Sequence, residues 1–136
     1  MFYNDGNGHG LVCATMEVGF VQWYDKSFIT TGATGTALGT GKSNTALIVN
    51  AQGAGNYAAK LCDDFSYDGY TDWWMPSIDE LNRMTALYTI CGLSGYAYWS
   101  SSEISQGLAW YEHLSSGVQF DDDKDQNHMV RPVRAF

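Results

Sequence analysis

An α+β domain is predicted by three features of the chain. A strong helix-initiation signal stands at Pro76-Ser77-Ile78-Asp79-Glu80-Leu81, an apolar period fit for a helix precedes it, and short strand candidates separated by polar turns follow it. Two helices followed by a twisted antiparallel sheet satisfy this order, and one domain over residues 1–136 is expected.

At the N-terminus, Phe2 and Tyr3 precede a polar, glycine-rich turn over residues 4–10 that returns the chain into residues 11–15, a terminal hairpin. This abrupt start reads as the cut end of a larger protein's final domain, or as a small domain whose first strand is already its N-terminus. No signal peptide is read, and no segment reaches the roughly twenty apolar residues that cross a bilayer. Residues 18–24 have strand-like content, and residues 30–41 read as loop.

Gly39-Thr40-Gly41-Lys42-Ser43 imitates a phosphate-binding loop, but Thr36 stands where that motif needs its first glycine. Lys42 and Ser43 are read instead as the entrance to a helix capped by Ser43 or Asn44 and running to about residue 63. Leu47, Ala51, Ala54, Ala58 and Leu61 or Cys62 are spaced for its buried face. Residues 63–72 read as a surface turn around Gly69. In the second helix Ser77 caps the first amides and Glu80 reaches back, ahead of Leu81, Met84, Leu87 and Tyr88, so Asp79 and Glu80 are structural rather than catalytic. Strand candidates follow at residues 96–100, 108–114, 118–120 and 129–135, the last at an edge or bulged because Pro132 cannot donate to a ladder.

Hydrophobic residues make up 45% of the chain and charged ones 16%, with 15% aromatics and 15 glycines, which points to a loop-rich domain built on large rings. A formal charge of -8 disfavours phosphate backbones and anionic bilayers as partners. Cys13, Cys62 and Cys91 lack the close spacing of a zinc or redox motif; they are buried thiols, or Cys62 and Cys91 form one disulfide.

Residues 96–136 hold a patchwork without steady period: Ile104, Gln106, Gly107, Leu108, Tyr111, His113, Val118, Phe120 and the acidic run from Asp121 to His128. Around it stand Tyr98-Trp99-Ser100-Ser101-Ser102-Glu103, Ala109-Trp110 and Val130-Arg131-Pro132-Val133-Arg134-Ala135-Phe136. The mixture reads either as an exposed recognition surface on a fixed frame or as an ordinary solvated loop with a few satellite core residues.

Those framing segments, with Gly8-His9-Gly10-Leu11-Val12, Thr31-Gly32-Ala33-Thr34-Gly35-Thr36-Ala37, Gly41-Lys42-Ser43-Asn44-Thr45, Tyr57-Ala58-Ala59-Lys60-Leu61-Cys62, Asp72-Trp73-Trp74-Met75-Pro76-Ser77 and Asp79-Glu80-Leu81-Asn82, resemble the Legionella collagen-like protein C-terminal domain family over nearly the whole chain. The resemblance implies a C-type-lectin-like fold: two helices packed on a small irregular antiparallel sheet with long loops. It also implies ligand recognition at a virion surface or a bacterial or archaeal cell surface. Some members resemble the variable proteins of diversity-generating retroelements, which makes residues 96–129 a candidate variable region. In keeping with that, Ile104, Gly107, Leu108, Tyr111, His113, Val118, Phe120, Asp121, Asp122, Asp123, Asp125, Asn127 and His128 are encodable by replacing adenines in an asparagine codon, whereas Trp99, Glu103, Trp110, Lys124 and Met129 are not.

The binding site expected on this reading comprises Tyr98, Ile104, Leu108, Tyr111, His113, Val118, Phe120, Asp121, Asp122, Asp123, Asp125, Asn127 and His128. Its partner is a protein or glycan receptor on a cell surface, with no nucleic acid and no direct membrane insertion; a homo-oligomer or a larger parent protein is compatible. No catalytic residue, cofactor or metal is expected. Asp121, Asp123 and Asp125 begin like a calcium loop, but Gln126 occupies its glycine position and Pro132 its terminal glutamate position. One alternative is a structural or adhesive domain of a tail or cell-surface protein. A more distant one is a relative of formylglycine-generating enzymes, with Cys13, Cys62 or Cys91, or His113 near Asp121, supplying the chemistry.

Overall fold

The first turn closes on its own side chains: the Gly6 amide donates to Asn4 Oδ1 and the Asn7 amide to Asp5 Oδ1, both at 2.7 Å. It joins Tyr3–Asn4 (β1) to Gly10–Cys13 (β2) as the expected antiparallel hairpin. The computed structural model describes residues 1–89, 92–93 and 96–136. On its other side β2 pairs antiparallel with Val133–Ala135 (β8), completing a three-stranded sheet. Gly10 is needed where the ends meet: a Cβ there would lie 2.3 Å from the Tyr3 carbonyl oxygen and 2.5 Å from the Phe136 ring.

Gly19–Val21 (β3) is followed by a long loop and then Gly41–Gln52 (α1). The expected single helix to residue 63 is broken in two. Gly53 takes a left-handed φ of 73° and ends α1, and the chain resumes helix only at Ala58–Asp63 (α2). The buried face of α1 also differs from the expected one. It consists of Gly41, Asn44, Thr45 and Ile48, while Leu47 is exposed. Polar residues can line this face because the preceding loop satisfies them: Asn44 Nδ2 donates to the Gly35 carbonyl at 2.6 Å, and Asn44 Oδ1 accepts from the Gly35 amide at 3.2 Å.

Ile78–Thr85 (α3) begins with the predicted capping box. The Glu80 amide donates to Ser77 Oγ at 3.3 Å, and the Ser77 amide donates to Glu80 Oε2 at 2.9 Å. Glu80 is fully buried, and its carboxylate also accepts from the Gly39 amide at 3.0 Å and from Trp74 Nε1 at 3.2 Å, so it ties the long loop to α3.

The second sheet is made by β3, Ala97–Glu103 (β4), Leu108–His113 (β5), Val118–Asp123 (β6) and His128–Val130 (β7), in the order β3-β7-β4-β5-β6. The β7–β4 pair is parallel and the others antiparallel. The residues expected to form one last strand are therefore split. The chain leaves β7, passes Arg131 and Pro132, and enters β8 in the other sheet. Pro132 has no amide with which to continue the ladder. Arg131 pins the crossing, donating to the Ala14 carbonyl at 3.0 Å and to Glu17 at 2.7 Å.

These two departures correct the C-type-lectin-like architecture of two helices on one small antiparallel sheet. The fold is α+β, with three helices and two sheets, of three and five strands, the larger one mixed. The five-stranded sheet divides the core. Trp99 packs with Trp23, Ile48, Tyr57 and Met75 on one side, while the adjacent Tyr98 packs with Trp74, Leu81, Met84 and Leu114 on the other. Cys62 is a free, buried thiol whose pKa is pushed well up, by burial first and by Asp63 second. Cys91, its expected alternative disulfide partner, lies outside the described residues. No helix among the described residues is long and apolar enough to cross a membrane.

Candidate functional site

Alternation along β5 and β6 decides which of the singled-out side chains meet. Tyr111 pairs with Phe120, His113 with Val118 and Ala109 with Asp122, and paired residues project to the same face. Tyr111, His113, Val118, Phe120 and Asp122 therefore share one side. The opposite side carries Trp110, Glu112 and Gln119 toward α3, where Asn82 Nδ2 and Gln119 Nε2 donate to the Glu112 carboxylate at 3.2 and 3.0 Å.

On the shared face the rings form one assembly. The Tyr111 ring stacks on the His128 imidazole with centroids 4.3 Å apart and planes 17° apart, and on Phe120 at 5.7 Å and 28°. His113 meets Phe120 edge-on at 5.8 Å and Tyr111 at 5.7 Å. Buried Trp99 supports the group edge-on, 4.6 Å from His128 and 6.2 Å from Tyr111, and is itself fixed by Nε1 donating to the Val21 carbonyl at 3.0 Å. The assembly thus grades from a sealed base at Trp99 to an open top, where Phe120 and Val118 are each 45% exposed.

Electrostatics follow from this half-buried setting. His128 Nε2 lies 2.7 Å from Asp122 Oδ2. Burial lowers the His128 pKa, the Asp122 carboxylate opposes that, and His113 adds to the lowering. Tyr111 titrates above an ordinary phenol because of burial and then the charges of Asp122 and Asp121. Asp122 Oδ1 accepts the Asp123 amide at 2.9 Å, so that side chain is held at both oxygens.

The remaining expected residues fall elsewhere. Tyr98 is fully buried on the opposite side of the sheet, its hydroxyl donating to Glu17. Asp121 and Asp123 alternate with Asp122 and so lie on the other side of β6, exposed. Leu108, opposite Asp123, is on that side too and half-buried. Ile104 is exposed in the β4–β5 turn, its amide donating to the Leu108 carbonyl at 2.9 Å. Asp125 and exposed Asn127 belong to the β6–β7 turn, which is held by Gln22 Nε2 donating to the Asp125 carbonyl at 2.8 Å.

One apolar surface escaped the sequence reading. Phe20, Tyr96 and Met129 line a groove of about 270 Å³, with Phe20 63% and Tyr96 70% exposed. It exists because β3 pairs with β7, setting Phe20 opposite Met129. No local sequence signal foretells a contact between residues so far apart in the chain. Among the described residues, no three His, Cys, Asp or Glu side chains gather as a metal-ligand set.

The sequence model of the Lcl C-terminal domain family matches residues 21–134, which take in all three helices, the whole five-stranded sheet but for its first two residues, and the ring face. No curated protein matches the chain.

Proposed function

The chain belongs to the Lcl C-terminal domain family, and from that footing we propose that it is a non-enzymatic adhesive domain of a surface-displayed protein. It presents the open face of β5, β6 and β7 to a protein or glycan on a cell surface. The observation that carries this reading is the ring assembly of Tyr111, Phe120, His113 and His128, seated on buried Trp99 and open at Phe120. Aromatic side chains held rigid lose little entropy on contact, which is why such groups anchor interfaces.

The test is adhesion of the purified domain to intact cells and extracellular matrix. Tyr111→Ala and Phe120→Ala are compared with Phe20→Ala on the opposite side of the sheet. The reading predicts adhesion that the two ring variants reduce and Phe20→Ala leaves intact. Adhesion unaffected by either ring variant would remove the face from the function.

A second reading, a surface diversified by a retroelement, is favoured by one specific observation. Every residue read above as reachable from an asparagine codon is exposed or half-buried, whereas Trp99, Glu103 and Lys124 among the unreachable ones are buried. Sequencing the coding locus decides it. A reverse transcriptase beside a near-copy of the segment, differing at adenines, supports diversification; a locus without one removes it.

A further inference from the structure

Resting on the reading of this face as the adhesive surface, we propose that its partner is a protein segment bearing arginine or lysine, whose cation sits against the exposed Phe120 ring beside the aspartates of β6. The sheet face is open at Phe120 and Val118, and its chemistry there selects among occupants. Exposed aromatic faces attract cations that approach within about 6 Å of the ring centroid, guanidinium groups above all. Asp122 shares the face with both rings, and Asp121 and Asp123 flank it on the same strand.

No lysine or arginine of residues 96–136 is paired with these acids. Lys124 is engaged with Glu103, Arg131 with Glu17 and Arg134 with Asp72. Among the described residues, the one basic group paired with a β6 aspartate is His128, and its half-buried imidazole is disposed to stay neutral. The edge strand β6 therefore carries net negative charge, from Asp122 on the ring face and from exposed Asp121 and Asp123 on its other side, within a chain of formal charge -8. Sulfated or phosphorylated partners are repelled by that field, and a cationic segment is steered toward it, with an attraction that salt weakens. A neutral glycan could stack on the rings and donate its hydroxyls to the acids, but it would make no use of their net charge and its binding would not weaken with salt.

The experiment is a titration of the intact chain with a Gly-Ser peptide carrying spaced arginines. The controls are the same peptide with neutral citrulline in place of arginine, and a neutral oligosaccharide. Affinity and backbone amide shifts are read at low and high salt. The proposal expects binding of the arginine peptide that shifts β5 and β6 amides, weakens with salt, and falls about tenfold in Phe120→Ala and in the triple variant D121N/D122N/D123N. Phe20→Ala should bind as the parent does. Equal binding of arginine and citrulline peptides overturns the proposal. So does oligosaccharide binding that Phe120→Ala abolishes and the triple variant leaves unchanged, an outcome that keeps the adhesive face and assigns it to glycans. Absence of any β5 or β6 shift with all three probes also overturns it, while adhesion to cells that still depends on Phe120 would leave the broader reading standing.

Discussion

Lys124 Nζ lies 2.7 Å from Glu103 Oε2, with both side chains about 1% exposed. This pair fastens the end of β6 to the end of β4, and the Lys124 ammonium also donates to the Ile29 carbonyl at 3.0 Å and sits 4.5 Å from the centre of the Trp23 ring. β4 and β6 are thus clamped at their ends by a charge that never reaches solvent.

Removing one partner of such a pair strands the other in the core. Lys124→Met should cost about 3–5 kcal/mol of stability, measured by denaturant unfolding, because Glu103 keeps its charge and loses its counterion. A loss under about 1 kcal/mol would show that the pair contributes little. Burial alone would raise the Glu103 pKa, but hydrogen bonds from Lys124 and Thr31 outweigh it and hold the carboxyl below its usual 4.5. The contribution of Glu103 is therefore complete above that value and lost as pH falls through the lower folded one, whereas burial lowers the Lys124 pKa and so offsets part of what the pair contributes.

Ser77→Ala removes the acceptor for the Glu80 amide and should cost about 1 kcal/mol. Glu80→Ala should cost more, since the amides of Gly39 and Ser77 and the Trp74 indole lose their acceptor together. Thermal melts of the two variants rank them, and the reverse order would refute the tie between loop and helix.

Gly41 opens α1 where a Cβ would stand 2.1 Å from Glu80 Oε2 and 2.8 Å from Trp74 Nε1. Alanine raises helix propensity, yet the clash should dominate. Gly41→Ala is expected to lower the unfolding midpoint, whereas a raised midpoint would mean that Glu80 yields easily.

His128, held below the ordinary imidazole value, takes up its proton more readily in the unfolded chain. Stability should then fall as pH drops through about 6.5 toward the folded value. His128→Gln should flatten that slope relative to the parent between about pH 7 and pH 5. The comparison must be made variant against parent, because the buried Glu112 carboxyl titrates above 4.5 and tilts stability the other way. Identical slopes would remove His128 as a contributor.

Local chemistry was legible in the sequence and distant pairing was not. The capping box needs only Ser77 and Glu80, and the first hairpin only its turn, so both could be read directly. The α1 face differs from the expected one because Asn44 and Thr45 look like surface residues until the loop and Met75 supply their partners. The break at Gly53 competes with the alanine-rich sequence around it. The parallel β7–β4 pair and the change of sheet at Pro132 depend on contacts that no short window contains. In the site, parity decides: Tyr111, His113, Val118 and Phe120 converge because they pair across two strands, while Tyr98 faces the opposite core and Asp121 and Asp123 fall on the other side of β6.

β6 closes one end of the five-stranded sheet with three successive aspartates. A bare terminal strand is a template on which further copies can stack into fibrils. Two copies approaching there would bring their carboxylates into repulsion, and Asp122 already occupies the Asp123 amide such growth would use. Neighbouring copies of the chain would accordingly be kept from extending the sheet through β6.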